Sequence, residues 1–170
     1  MTADTLPGEE DGVDRGILPQ GFTPLDPRFR RLLRIRAAIR SLVLLLAAGT
    51  AENLADLAGF VLVGPALVLA FVMVMLLPGR QYASRGYRLE QDGLRTVRGV
   101  WRHSDITVPL GRVQHIDVTQ KPLERANDLA TLVLHTAGTD NASVVLEGLS
   151  HDDAIVLRDE VRAGMREIMR

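Results

Sequence analysis

From Leu57 to Leu77 the chain reads LAGFVLVGPALVLAFVMVMLL, 21 positions without a charged side chain. At about 1.5 Å of rise per helical residue, that length covers the roughly 30 Å hydrocarbon core of a bilayer. A helix apolar on every side needs lipid or a large protein around it, and a chain of 170 residues does not readily enclose one. The pattern therefore predicts a membrane helix over about residues 57–77. Gly64-Pro65 lies inside it, and because proline has no backbone donor a kink is expected there.

An earlier apolar run, Ser41 to Ala51, is too short to span alone. It reaches the required length if its helix starts near Leu33 or Ala37, with Arg36 and Arg40 snorkelling to the interface. Together the runs predict a two-helix transmembrane hairpin over residues 28–79, with helices at about 33–52 and 57–77. The alternative for the first run is an amphipathic or re-entrant segment, since Glu52, Asn53 and Asp56 crowd its far end. Small residues Ala47, Ala48, Gly49 and Ala51 on the first segment, with Gly59, Gly64 and Ala66 on the second, permit close packing of the two helices. The apolar pattern starts too far along the chain for a secretory leader, so none is expected.

After Pro78-Gly79 the period shortens to two. Tyr87–Gln91 and Leu94–Trp101 flank Asp92-Gly93, a pair suited to the positive φ of a tight hairpin turn. Strands are predicted again at Ile106–Val108, Val113–Thr119, Thr131–Thr136 and Ser143–Leu146, with turns at Pro109-Leu110-Gly111 and Gly138–Asn141 and no helix between them. The chain then turns helical. Ser150 is a suitable N-cap, Asp152 and Asp153 suit the positive end, and Ala154, Leu157, Val161, Met165 and Ile168 recur at spacings of three and four. An all-β domain at residues 80–170, capped by that amphipathic helix, buries both apolar faces. The period alone does not select a barrel topology.

Charge adds orientation. Arg28, Arg30, Arg31, Arg34, Arg36 and Arg40 precede the hairpin and Arg80, Arg85 and Arg88 follow it, whereas its connection carries Glu52 and Asp56. Both ends are therefore expected on the cytoplasmic side of an inner membrane, as a multi-pass protein. A formal net charge of -1 gives no reason to expect a nucleic-acid partner. Residues 1–27, rich in Pro, Gly and Asp/Glu without apolar period, read as a disordered acidic tail. With no cysteine there is neither a disulfide framework nor a thiolate nucleophile.

Catalytic patterns are wanting. His103, His115, His135 and His151 are dispersed without metal-ligand spacing, and contiguous His103-Ser104-Asp105 cannot converge as a triad. Gly8, Gly12 and Gly16 have no strand before them and no helix after, so no phosphate loop or cofactor motif is present. The sequence predicts no catalytic, cofactor or metal site.

The series Val108–Val118 (VPLGRVQHIDV), then Gln120–Arg125 (QKPLER), then Leu129–Leu132 (LATL) and Thr136-Ala137-Gly138 resembles the bacterial pleckstrin-homology family of YdbS-type membrane proteins. The resemblance covers roughly residues 30–170 and implies a PH-like fold: a bent sheet of seven strands with a C-terminal helix, held at the cytoplasmic membrane face. Asp128 stands where that pattern has glycine, and aspartate tolerates a left-handed turn. Within the series, Arg112, Gln114, Gln120, Lys121, Leu123, Glu124 and Arg125 either define turns and inter-strand bonds or form an interaction surface. Leu123 is expected against the core. Adjacent Glu124 and Arg125 point opposite ways on an extended segment, so each is expected to have its own partner.

Function does not follow from fold. A phosphoinositide pocket needs a basic first hairpin loop, and Gln91-Asp92-Gly93 carries an acid instead. Candidate lipid-headgroup contacts are Arg36, Arg40, Arg80, Arg85, Arg98 and Arg102; strand alternation sets Arg95 on the face opposite Arg98. The sequence thus points to a non-enzymatic membrane-anchored module that binds another membrane protein or its own copies, with headgroup sensing as the alternative and a membrane enzyme well behind both.

Overall fold

The computed structural model describes residues 21–56, 60–99, 104–137 and 143–168. Among them the elements run β1 (Thr23–Pro24), α1 (Arg28–Leu54), α2 (Val63–Met75), α3 (Leu77–Ala83), β2 (Gly86–Leu89), β3 (Gly93–Arg98), β4 (Ser104–Pro109), β5 (Val113–Thr119), α4 (Pro122–Arg125), β6 (Leu129–Thr136), β7 (Ser143–Ser150) and α5 (His151–Ile168).

Two antiparallel sheets form, one ordered β1-β2-β3-β4 and the other β5-β6-β7. α5 packs on the second sheet through buried Ala154, Leu157 and Val161, and its first turn is capped where Asp153 N donates to Ser150 Oγ at 3.0 Å. The strand series and capping helix are those the alternation and the 3.6-residue period predict. Pro122–Arg125 is a single helical turn inside the strand series, too short for any period to register.

The tail boundary moves. Within the stretch expected to be disordered, Thr23–Pro24 pair with β2, and Leu25 is buried in the core. The first helix starts at Arg28 rather than near Leu33, and its opening turns belong to the domain. Phe29, Leu32 and Leu33 join Leu94, Leu132, Leu134, Leu149, Leu157 and Val161 in one apolar cluster. Fully burying such side chains is worth about 1.5–3 kcal/mol each, so the stem is part of the domain core and not a flexible tether. The seventh strand of the fold and the buried start of α1 thus come from residues ahead of the apolar run Ser41 to Ala51.

α1 and α2 run antiparallel: Glu52 near the end of α1 reaches the start of α2, while Arg30 near its beginning approaches Gly79 on α3. Ala66 and Ala70 are buried, whereas Leu42, Val43, Leu46, Leu67, Val68 and Phe71 face outward. Alanines carry the close approach; around Gly49 and Gly64 an added β-carbon would meet nothing within 4 Å, and Gly59 lies outside the described residues.

Among the described residues one helical stretch, Val63–Ala83, is long and apolar enough to cross a membrane. The two spans expected from the sequence reduce to one candidate among the described residues. That stretch is also displaced from the expected 57–77. Pro65 is the third residue of α2, where a backbone donor is not needed, so no kink follows. The break falls instead at Leu76, ahead of Pro78, whose ring cannot sit against the carbonyl four residues back. Helix resumes and continues past Pro78-Gly79 to Ala83, beyond the boundary expected at residue 80.

At the first hairpin, Glu90 N donates to Gly93 O (2.8 Å) and Gly93 N to Glu90 O (3.3 Å), enclosing Gln91-Asp92. The turn is where the sequence placed it, but neither Asp92 nor Gly93 has positive φ. Glycine is needed at 93 for closeness: a β-carbon there would lie 2.7 Å from Val108 O. Asp128, by contrast, does take the left-handed conformation, at φ 55.

Candidate functional site

Phe29, Leu32 and Leu33 dock α1 into the core, and the same face continues at helical spacing through Arg36 and Arg40. Both guanidinium groups therefore arrive where the stem meets the domain. Arg85 enters just after α3, and its guanidinium lies over the Phe29 ring at 5.5 Å. Lys121 precedes α4, and Glu147 comes from β7.

These side chains line a cavity of about 560 Å³ together with Ala37, Met73 and Leu77 from the helices. Glu147 is shared among three cations: Lys121 Nζ at 3.4 Å, Arg85 Nη1 at 3.5 Å and Arg36 Nη1 at 3.9 Å. Arg36 is also held at 2.8 Å by Glu124, which is 1% exposed. Lys121 N (3.0 Å) and Thr131 Oγ1 (3.2 Å) donate to the second Glu124 oxygen, so the buried carboxylate is satisfied throughout. Arg40 has no ion-pair partner among the described residues. Burial pushes the Arg85 guanidinium below its ordinary pKa; Glu147 opposes this, while Arg98 and Arg36 add to it.

Of the expected headgroup contacts, the structure brings Arg36, Arg40 and Arg85 together, and places Arg98 beside Arg85 in an adjoining cleft of about 170 Å³. Arg80 is exposed on α3 outside this cavity, and Arg102 lies outside the described residues. Arg95 is held by Asp105 at 2.6 Å instead.

The seven residues expected as an interaction surface do not share one. Arg112 and Gln114 sit at one end of β5, and Gln120, Lys121, Leu123, Glu124 and Arg125 follow its other end. Gln120 Nε2 donates to Leu129 O at 2.9 Å, Leu123 packs on the core, and buried Glu124 presents nothing to solvent. Arg112, Gln114, Lys121 and Arg125 remain exposed. The separate partner expected for Glu124 is Arg36, from α1. Glu147 carries no signal in the sequence beyond being a lone charge in the apolar strand Val144–Leu149.

A second concavity, about 620 Å³, lies between the β2–β3 turn and the end of α5. Its acids are Glu90, Asp92, Glu160 and Glu167, and Leu110 and Ile168 supply apolar surface. α5 separates its charges, since Glu160, Gly164 and Glu167 follow one helical stripe and Arg158, Arg162 and Arg166 another.

The bacterial PH domain model matches residues 40–165. This chain belongs to the bacterial PH domain family. The family match explains the pair of sheets and the closing helix, while the β1 strand and the first turns of α1 lie ahead of the matched region. The chain is also similar to the transmembrane protein YdbS of Bacillus subtilis (strain 168), 30% identical over 92 residues, which is 54% of this chain and 56% of that protein. The chain thus spans about half the length of the curated relative it matches. No solved structure matches it.

Proposed function

We propose that this chain is a non-enzymatic, membrane-anchored PH-like module that presents its domain at the cytoplasmic membrane face to another membrane protein. The observation that carries this reading is the burial of Phe29, Leu32 and Leu33 from α1 in the domain core. A domain so rooted cannot swing freely, and its far end is held in one orientation relative to the apolar helices.

Support for the anchor comes from the span-length stretch Val63–Ala83, the outward apolar faces of α1 and α2, and the name of the relative as a transmembrane protein. Arginines on both flanks of the hairpin favour cytoplasmic termini. β2 leaves the stem at Gly86 and ends at the Gln91-Asp92 turn, so the acidic concavity is at the end of the sheet away from the stem. Its chemistry suits a Lys/Arg-rich segment, which is what the cytoplasmic flanks of membrane helices carry.

The test is photo-crosslinking in cells from a probe at Ala163, in the wild type and in the Glu160→Lys/Glu167→Lys variant. Capture of a membrane protein through a basic segment, lost on charge reversal, is the expected result. Capture unchanged by reversal, or no capture, overturns the reading; capture of a second copy through its Arg28–Arg40 segment replaces the partner with self-assembly.

A further inference from the structure

We infer that the cavity at the stem–domain junction is a binding site for the phosphate of an anionic glycerophospholipid, with Arg36, Arg40, Arg85 and Lys121 around the phosphate and the acyl chains along Met73 and Leu77. This site goes beyond the partner-binding reading and uses the opposite end of the domain. It rests on the membrane-anchor part of that reading.

Three observations converge. The lining carries Arg36, Arg40, Arg85 and Lys121 against Glu147 alone, and Glu124 behind Arg36 still leaves the group cationic. The three Glu147 pairs, at 3.4 to 3.9 Å, are long for charge-assisted hydrogen bonds, which run about 2.7–2.9 Å. One carboxylate shared at that range leaves donors unfilled, and Arg40 makes no ion pair at all among the described residues. A tetrahedral phosphate oxyanion offers several acceptors to such a ring of donors.

The second observation is amphipathy. Beside the cations the lining includes Ala37, Met73 and Leu77, and Met73 and Leu77 belong to the stretch long enough to span a bilayer. A soluble anion has no use for that apolar lining, whereas a lipid places its headgroup and its first methylenes across just such a boundary. The third is depth: Arg36 is 20% exposed and Arg85 28%, so both work in a partly desolvated setting where an anion is bound more strongly than at an open surface. Without a ligand, Glu147 serves as the counter-ion that keeps these guanidinium groups together; a bound phosphate takes over that role.

The test uses full-length protein in nanodiscs of zwitterionic phosphatidylcholine, with phosphatidylglycerol added in steps and retained lipid counted by native mass spectrometry. The wild type is expected to retain phosphatidylglycerol selectively, with retention falling as salt is raised. Arg40→Gln, which breaks no pair, is expected to weaken retention by about tenfold, Glu147→Gln to strengthen it several-fold, and Arg85→Gln to weaken it in protein whose thermal unfolding shows it folded. Equal retention of phosphatidylcholine, or Arg40→Gln and Glu147→Gln both matching the wild type, overturns the site. Displacement of the lipid by glycerol phosphate at comparable concentration overturns the lipid source and assigns the cavity to a soluble phosphate ester. Protein that stays monodisperse without detergent overturns the anchor itself, and the Glu160→Lys/Glu167→Lys variant, expected to retain lipid normally, keeps this outcome separate from the partner-binding reading.

Discussion

Gly148 lies flat against the ring of Phe29: a β-carbon on Gly148 would stand 2.5 Å from Phe29 Cγ. The glycine also has φ +88, and Asp26 N donates to its carbonyl at 3.0 Å. The entry of the chain into α1 is therefore seated on β7 at one residue. Gly148→Ala combines overpacking with an unfavourable backbone, and a loss of about 2–4 kcal/mol is expected. Thermal unfolding of the full-length protein in detergent checks it, and Phe29→Leu in the same chain is expected to recover part of the loss. A variant as stable as wild type would mean the stem does not seat there.

Arg36 and Glu124 couple the stem to the domain through charge. Glu124→Ala leaves Arg36 without its closest acid and Thr131 Oγ1 without its acceptor, and a loss of about 3–5 kcal/mol is expected. Replacing both partners, Arg36→Met with Glu124→Leu, is expected to cost far less than the sum of the single changes. Additive losses in that double-mutant cycle would show the pair to be uncoupled.

At the other end of the stem, the Glu52 carboxylate accepts from Val61 N (2.9 Å) and Val63 N (3.2 Å), capping α2 from α1. Glu52 is 8% exposed, so Glu52→Ala strips two donors of a shielded partner. A loss of about 1–2 kcal/mol is expected, with Glu52→Gln between. Hydrogen exchange at Val61 and Val63 reads the cap directly, and unchanged protection would sink the assignment.

Burial raises the pKa of Tyr87, with Asp153 and Glu160 adding to the shift. Because the unfolded phenol releases its proton first, the stabilising contribution is complete below about pH 10 and is lost as pH rises through the higher folded value. Alkaline unfolding is therefore expected to shift to higher pH in Tyr87→Phe, provided its stability at neutral pH is matched. The same midpoint in both proteins would remove Tyr87 from the alkaline transition.

How much was legible in the sequence differs by element. Alternation and bounding turn residues located β2 to β7, and helical spacing located α5, whose buried Ala154, Leu157 and Val161 form one face. Position 128 is marked only through the family resemblance, as a glycine position, and Asp128 takes the left-handed turn there. The junction is only half legible: the sequence pattern marks its arginines as headgroup contacts but gives no mark to Glu147 and sets Glu124 among exposed neighbours.

Local chemistry in the sequence determined the apolar stretch, the strand series, the capping helix and the arginine flanks, because each depends on residues within a few turns of one another. Tertiary structure alone decided that β1 and the first turns of α1 enter the domain core, that Arg36 pairs with Glu124, and that Glu147 stands among three cations. Arg36 and Glu124 are 88 positions apart. No period or spacing carries such a pairing, because it arises when burial of Phe29, Leu32 and Leu33 brings distant segments together and the desolvated charges must find one another.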